Sequence, residues 1–148
     1  MTGNGFVSRG HAAIAPFALS RPTPVAAALD RLGAGATAHA GGVDVVAALR
    51  NGARVDELVH LGGIEQLQTI GVDPDGGLHI GAGVTHHRME TDPNIVETRP
   101  DLAAAWRTVG NARIRRAGTV GGNLLAFDPG YDAAPILAAA GARLHWDG

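Results

Sequence analysis

Three observations predict an α+β domain. Short apolar runs of strand length alternate with helix-length stretches, glycine, proline, asparagine and aspartate punctuate the junctions, and the long strand–helix–strand rhythm of a doubly wound sheet is absent. The chain has 148 residues, enough for one ordinary domain or two small lobes sharing a core.

The elements follow in order. "RPTPVAAALDRLG" predicts a helix: Thr23 can cap, Pro24 suits the first helical position, and Val25, Ala28, Leu29 and Leu32 form an apolar stripe up to Gly33. "ATAHAGG" predicts a short strand ending in a glycine pair. "VDVVAALRNG" predicts the next helix, ended by Asn51-Gly52, and "DELVHLGG" another strand. "LQTIGVDPDGGLHIGAG" predicts a hairpin turning at Asp73 to Gly77. "THHRMETDPNIVETRPDLAAAWRTVG" predicts two helical pieces, with Thr85 as a cap and Pro93 and Pro100 as punctuation. After a glycine-rich loop, "DAAPILAAAGA" predicts a helix ending at Gly141, and "ARLHWDG" the start of a last strand.

Composition bounds the chemistry. Hydrophobic residues make up 45% and charged residues 18%, as in a folded soluble protein, while aromatics at 4% leave a core of small aliphatic side chains. There is no cysteine, which excludes disulfides, Fe–S ligation and a thiol nucleophile within this chain. All 12 basic residues are arginines, so a phosphate-loop lysine and a Schiff-base lysine are excluded as well. A net charge of −2 gives no reason to expect nucleic acid, and no apolar run reaches the roughly 20 residues of a membrane helix. The cytoplasm is the default location, since the apolar stretch near the N-terminus is short and broken by Pro16.

Two glycine pairs remain. "GAGATA" (Gly33, Gly35, Ala38) fits a dinucleotide pattern, but it follows a helix and enters a strand, the reverse of what that motif needs. "HAGGVDVVAALRNG" has the right order: strand, glycine pair, helix, which aims backbone N–H groups and a helix N-terminus at the loop. A tight strand-to-helix turn explains it equally well. "GTVGGNLLAFDPGYD" repeats the device, and Gly121-Gly122 is expected to offer bare N–H groups and positive φ angles. Thr119 and Asn123 can hydrogen-bond phosphate or ribose oxygens, and Asp128 or Asp132 can accept from ribose hydroxyls. Taken alone, Asp132 reads better as the cap of the helix after it. Arg113, Arg115 and Arg116 can clamp phosphate, though a solvated face or protein contact suits at least two of them. His86-His87 are neighbours and point about 100° apart on a helix, with no acidic residue at ligand spacing, so no metal site is expected. The only serines, Ser8 and Ser20, lie in no nucleophile motif. With no acid, base or nucleophile in evidence, two anion cradles suggest a cofactor that carries the chemistry while the protein holds it.

At this point the chain resembles the FAD-binding domain of molybdenum-containing hydroxylases, such as the medium subunit of carbon monoxide dehydrogenase and the flavin domain of xanthine dehydrogenase. The resemblance runs from "RPTPVAAALDRLG" to the C-terminus. It rests on "AGGVD" where the family has AGGTD or AGGHS, on "ELVHLGGIEQLQTIGVDPDGGLHIGAGVTHHRME", and on "GNARIRRAGTVGGNLLAFDPGYD". It implies an α+β, FAD-binding fold of the vanillyl-alcohol-oxidase/PCMH type: two small α/β lobes with the dinucleotide between two Gly-Gly loops. On that reading residues 1–20 are a lead-in, 21–55 the first FAD-binding lobe and 56–148 the second. The family continues into a further C-terminal subdomain with no counterpart in these residues.

The resemblance further implies FAD as cofactor. Ala40, Gly41, Gly42, Val43, Asp44 and Val45 would form its first loop, and Thr119, Gly121 and Gly122 its second. Asn123 would contact the flavin nucleotide, Asp132 would reach the adenosine ribose, and Asp128 is a further candidate. Val43 stands where the family has a donor side chain, and Arg113 and Arg116 replace its Gln and Asn. The implied function is the FAD-binding component of an oxidoreductase. It would take electrons from an Fe–S subunit and serve a molybdopterin subunit, without nucleic acid or membrane insertion. The alternative is a degenerate homologue acting as a scaffold or small-ligand binder without redox turnover.

Overall fold

A computed structural model describes residues 14–145, so most of the lead-in at 1–20 and the last three residues of the expected final strand lie outside it. Strands β1 (Ala18–Ser20), β2 (Thr37–His39) and β3 (Glu57–His60) form a parallel sheet in the order β1-β3-β2. Helix α1 (Val25–Gly33) and helix α2 (Val43–Arg50) are the crossovers between them. The α+β class therefore holds, but its first part is a compact βαβαβ unit, a rhythm hidden by strands only three or four residues long. β1 has no sequence signal, because Pro16 and Pro22 crowd it on either side.

Capping differs in detail at α1. Pro24, extended at ψ 141°, is itself the cap and Thr23 makes no cap bond. At the other end Gly33 stays helical, and Gly35 (φ 97°) turns the chain, letting Ala36 N–H reach the Arg31 carbonyl. Ala28, Val59 and Ile64 are the buried centre beneath this sheet, with Leu32, Leu61 and Leu67 against them.

Two 3-10 turns, Leu61–Gly63 and Glu65–Gln68, lead to the antiparallel hairpin β4 (Ile70–Val72) and β5 (Leu78–Ile80), joined at the expected Asp73–Gly77 turn. The helical stretch after it has three pieces: α3 (His86–Thr91), α4 (Pro93–Thr98) and α5 (Pro100–Trp106). Each proline sits in a first turn, where its missing N–H costs nothing, so both start helices. Thr85 caps α3 through Arg88 N–H, and Asp92 caps α4 through Asn94 N–H. Helices α6 (Ala112–Ala117), α7 (Val120–Leu125) and α8 (Ala133–Ala139) complete the chain. The larger core packs Met89, Ile95, Leu102, Trp106, Val120 and Leu137, all buried. Residues 142–145 form no strand, since no neighbouring strand pairs with them among the described residues.

Candidate functional site

A cavity of about 570 Å³ opens between the end of β2 and the α6–α7 junction. That is within the size range of small-molecule and cofactor pockets, roughly 300–1,000 Å³. Ala40, Gly41, Gly42, Val43, Asp44 and Val45 all line it, as do Thr119, Gly121, Gly122, Asn123 and Asp132. Two stretches separated by more than seventy residues of sequence thus converge on one space. Asp128 does not: its carboxylate accepts Gly130 N–H at 2.8 Å, closing a tight local turn. Asp132 makes no cap bond to α8, which leaves its carboxylate at the cavity wall.

The two glycine pairs have different jobs. Gly42 adopts φ 75° and starts α2, whose first-turn N–H groups at Val43, Asp44 and Val45 have no protein acceptor among the described residues. With the positive end of the helix dipole behind them, they are a donor set for an anion. Gly121-Gly122, expected as a loop with positive φ, is instead the first turn of α7, with helical backbone. Its N–H groups are already used: Val120 N–H bonds the Val84 carbonyl, Gly121 N–H the Ala82 carbonyl, and Gly122 N–H the Thr119 hydroxyl. Here glycine serves close approach. A Cβ on Gly121 would lie 2.7 Å from the Ala82 Cβ, whereas one on Gly122 would meet only Thr119 Oγ1 within 4 Å. Gly122 therefore keeps the cavity wall bare rather than supplying donors.

Polar groups complete the site. Asn123 Oδ1 is buried without a hydrogen-bond partner among the described residues. Such an orphan costs stability unless a ligand satisfies it. Tyr131, which the sequence did not single out, donates its hydroxyl to Asp44 Oδ1, linking the start of α2 to the chain before α8. That bond and partial burial push the Tyr131 pKa up to about 12. Of the three candidate arginines, Arg115 is a strut: it bonds Glu90 at 3.0 Å and the carbonyls of Arg107 and Gly110. Arg113 and Arg116 are exposed and do not line the cavity.

Residues 15–148 match the family described as the FAD binding domain in molybdopterin dehydrogenase. The chain belongs to this family. Its cofactor, FAD, fits what the cavity offers: an open N–H cradle, a bare wall at Gly122 and an unpaired buried oxygen at Asn123. The caffeine dehydrogenase subunit beta of Pseudomonas sp. (strain CBB1) is 31% identical over 81 residues, covering 55% of this chain and 27% of that protein. Among solved structures, quinoline 2-oxidoreductase from Pseudomonas putida 86 superposes with a TM-score of 0.77 at 28% identity, over 82% of this chain and 44% of that one. Carbon monoxide dehydrogenase from Hydrogenophaga pseudoflava gives 0.73 at 26% identity, with the same coverage. The chain thus spans less than half of the relatives it matches. Among the described residues no helix is long and apolar enough to cross a membrane.

Beneath the first glycine loop lies a histidine pair. His39 Nδ1 and His60 Nδ1 are 3.0 Å apart, so one ring must donate and the other accept. Burial, and then the charge of His60, hold the His39 pKa below 6.5; burial and Arg115 do the same for His86. Both rings are easier to protonate in the unfolded chain, so their contribution to stability is expected to fall as pH drops below 6.5 and to level off once pH is under the folded values. Melting temperatures recorded from neutral to mildly acidic pH check this, and the slope should be shallower in His39→Asn. A flat profile for the parent protein would contradict it.

Proposed function

We propose that this chain is the FAD-binding component of a molybdenum-hydroxylase-type oxidoreductase, passing electrons from partner Fe–S clusters through flavin to an acceptor. The observation that carries this reading is the open N–H cradle at Val43–Val45 facing the bare wall at Gly122 across one cavity. When bound, FAD supplies the electron- and hydride-transfer chemistry. The chain's residues hold it: the start of α2 takes the pyrophosphate, Gly41 lets that loop pack on the Ala117 carbonyl, Gly42 supplies the left-handed turn into α2, and Gly121 and Gly122 form the opposing wall. Thr119 fixes the first turn of α7 by accepting Gly122 N–H, Asn123 offers its free oxygen to the ligand, and Asp132 reaches the adenosine ribose. The chain lacks cysteine, so Fe–S clusters belong to a partner, and substrate hydroxylation to a molybdopterin subunit. The scaffold reading draws on Val43, and the unpaired Asn123 oxygen weighs against it.

The test is an absorbance spectrum of the purified chain with and without added FAD, followed by calorimetric titration. FAD is expected to bind and FMN to bind far more weakly, because only FAD offers a pyrophosphate and an adenosine ribose. Equal affinities for the two would defeat the reading.

Val43 tests the cradle in finer detail. It lines the cavity, half-buried, and is not part of the core beneath the sheet. Val43→Thr adds a hydroxyl facing the ligand and is expected to tighten FAD binding by about 1–2 kcal/mol, roughly five- to thirtyfold. Weaker binding together with a lower melting temperature would place that hydroxyl against apolar neighbours instead.

A further inference from the structure

His86 opens α3, is 1% exposed and lines the cavity, yet neither glycine loop accounts for it. Its Nδ1 lies 3.1 Å from Trp106 Nε1. An indole nitrogen can only donate, so Nδ1 must accept and the ring proton must sit on Nε2. A second proton on this ring would set two N–H groups against each other. Burial and the nearby Arg115 charge disfavour that state further. His86 is thus a neutral donor held in one tautomer.

That donor has no acceptor among the described residues; the Trp106 contact is the side chain's one hydrogen bond there. Its surroundings say where it points. A Cβ on Gly118 would lie 3.1 Å from His86 Nε2, and a Cβ on Gly41 would fall 1.6 Å from the carbonyl oxygen of Ala117, the preceding residue. The imidazole therefore lies under the seam where the first glycine loop crosses the α6–α7 junction. Val43, Asp44 and Val45 at the start of α2 line the same cavity as His86.

We propose that His86 is a ligand-binding residue whose Nε2–H donates to a pyrophosphate oxygen of the bound dinucleotide, with Trp106 as its positioning residue. This rests on the FAD-binding reading above. A neutral, buried, tautomer-locked imidazole behaves towards phosphate as another backbone N–H would, without the desolvation cost of a buried cation. It also explains why a buried polar ring with a free donor lines the cavity.

The experiment combines ligand truncation with nitrogen NMR. FAD, ADP (pyrophosphate but no flavin) and riboflavin (flavin but no phosphate) are titrated into the parent chain, His86→Phe, His86→Gln and Trp106→Phe. His86→Phe is expected to weaken FAD and ADP by about tenfold or more and leave riboflavin unchanged. His86→Gln, whose amide can accept from Trp106 and donate into the cavity, should restore part of that loss and guards against misfolding of the Phe variant. In the parent, imidazole ¹⁵N shifts should show the Nε2–H tautomer, and ADP should move the Nε2 proton. Trp106→Phe should mix the tautomers and weaken FAD and ADP together. If the parent binds FAD and His86→Phe binds it equally well, the proposal fails while the FAD reading stands. A loss confined to FAD and riboflavin would overturn the pyrophosphate assignment. A parent chain that binds none of the three would overturn both.

Discussion

Gly41→Ala is expected to destabilise the protein more than any other single methyl addition in the two glycine loops. The new Cβ would fall 1.6 Å from the Ala117 carbonyl oxygen, 2.4 Å from its carbon and 3.1 Å from Gly118 N. All three are backbone atoms, so no side chain can swing aside. The start of α2 and the α6–α7 junction would have to separate, at a cost of about 3 kcal/mol or more, or roughly 10 °C in melting temperature. FAD binding should be lost with the seam. Gly33→Ala is the matched control: it is helical, has nothing within 4 Å of its Cβ, and should be neutral or slightly stabilising. Thermal melts of both variants decide the matter. A Gly41→Ala protein that melts with the parent would mean the two segments do not touch in solution.

Gly122→Val is expected to have the opposite character: a folded chain that no longer holds FAD. Gly122 is exposed at the cavity wall, its backbone is helical, and a built Cβ would meet only Thr119 Oγ1, at 2.9 Å, which a small shift of that capping hydroxyl relieves. Backbone strain is therefore not the cause. The branched side chain fills space the ligand needs, and affinity should fall by roughly a hundredfold or more, about 2.8 kcal/mol. Circular dichroism and a melt should match the parent to within a few degrees. FAD binding at parental strength would show that the dinucleotide does not pass this wall.

Gly41 and Gly122 differ in what each one's neighbours in space are, which is where the sequence stops being legible. Local chemistry was legible. The strand–glycine pair–helix order at His39–Arg50, the hairpin turn at Asp73–Gly77, the Thr85 cap and the punctuation by Pro93 and Pro100 all depend on residues a few positions apart. Their backbone preferences act within one turn, so a single stretch specifies them.

What the sequence by itself determined is a set of helices, turns and glycine pairs, and motifs specific enough to give the family and its FAD. The tertiary structure decided which partner each of those elements meets. Gly121-Gly122 reads as a second donor loop because adjacent glycines leave their backbone N–H groups bare of side chains. The segment Ala82–Val84, more than thirty residues away, takes the N–H groups of Val120 and Gly121, the Thr119 hydroxyl takes that of Gly122, and the pair becomes a helical wall. For the same reason His86 and Tyr131 read as ordinary residues until Trp106 and Asp44 orient them, whereas Asp128 is held by a local turn with Gly130. A hydrogen bond is fixed by where both partners end up, and for groups far apart in the chain only packing brings them together.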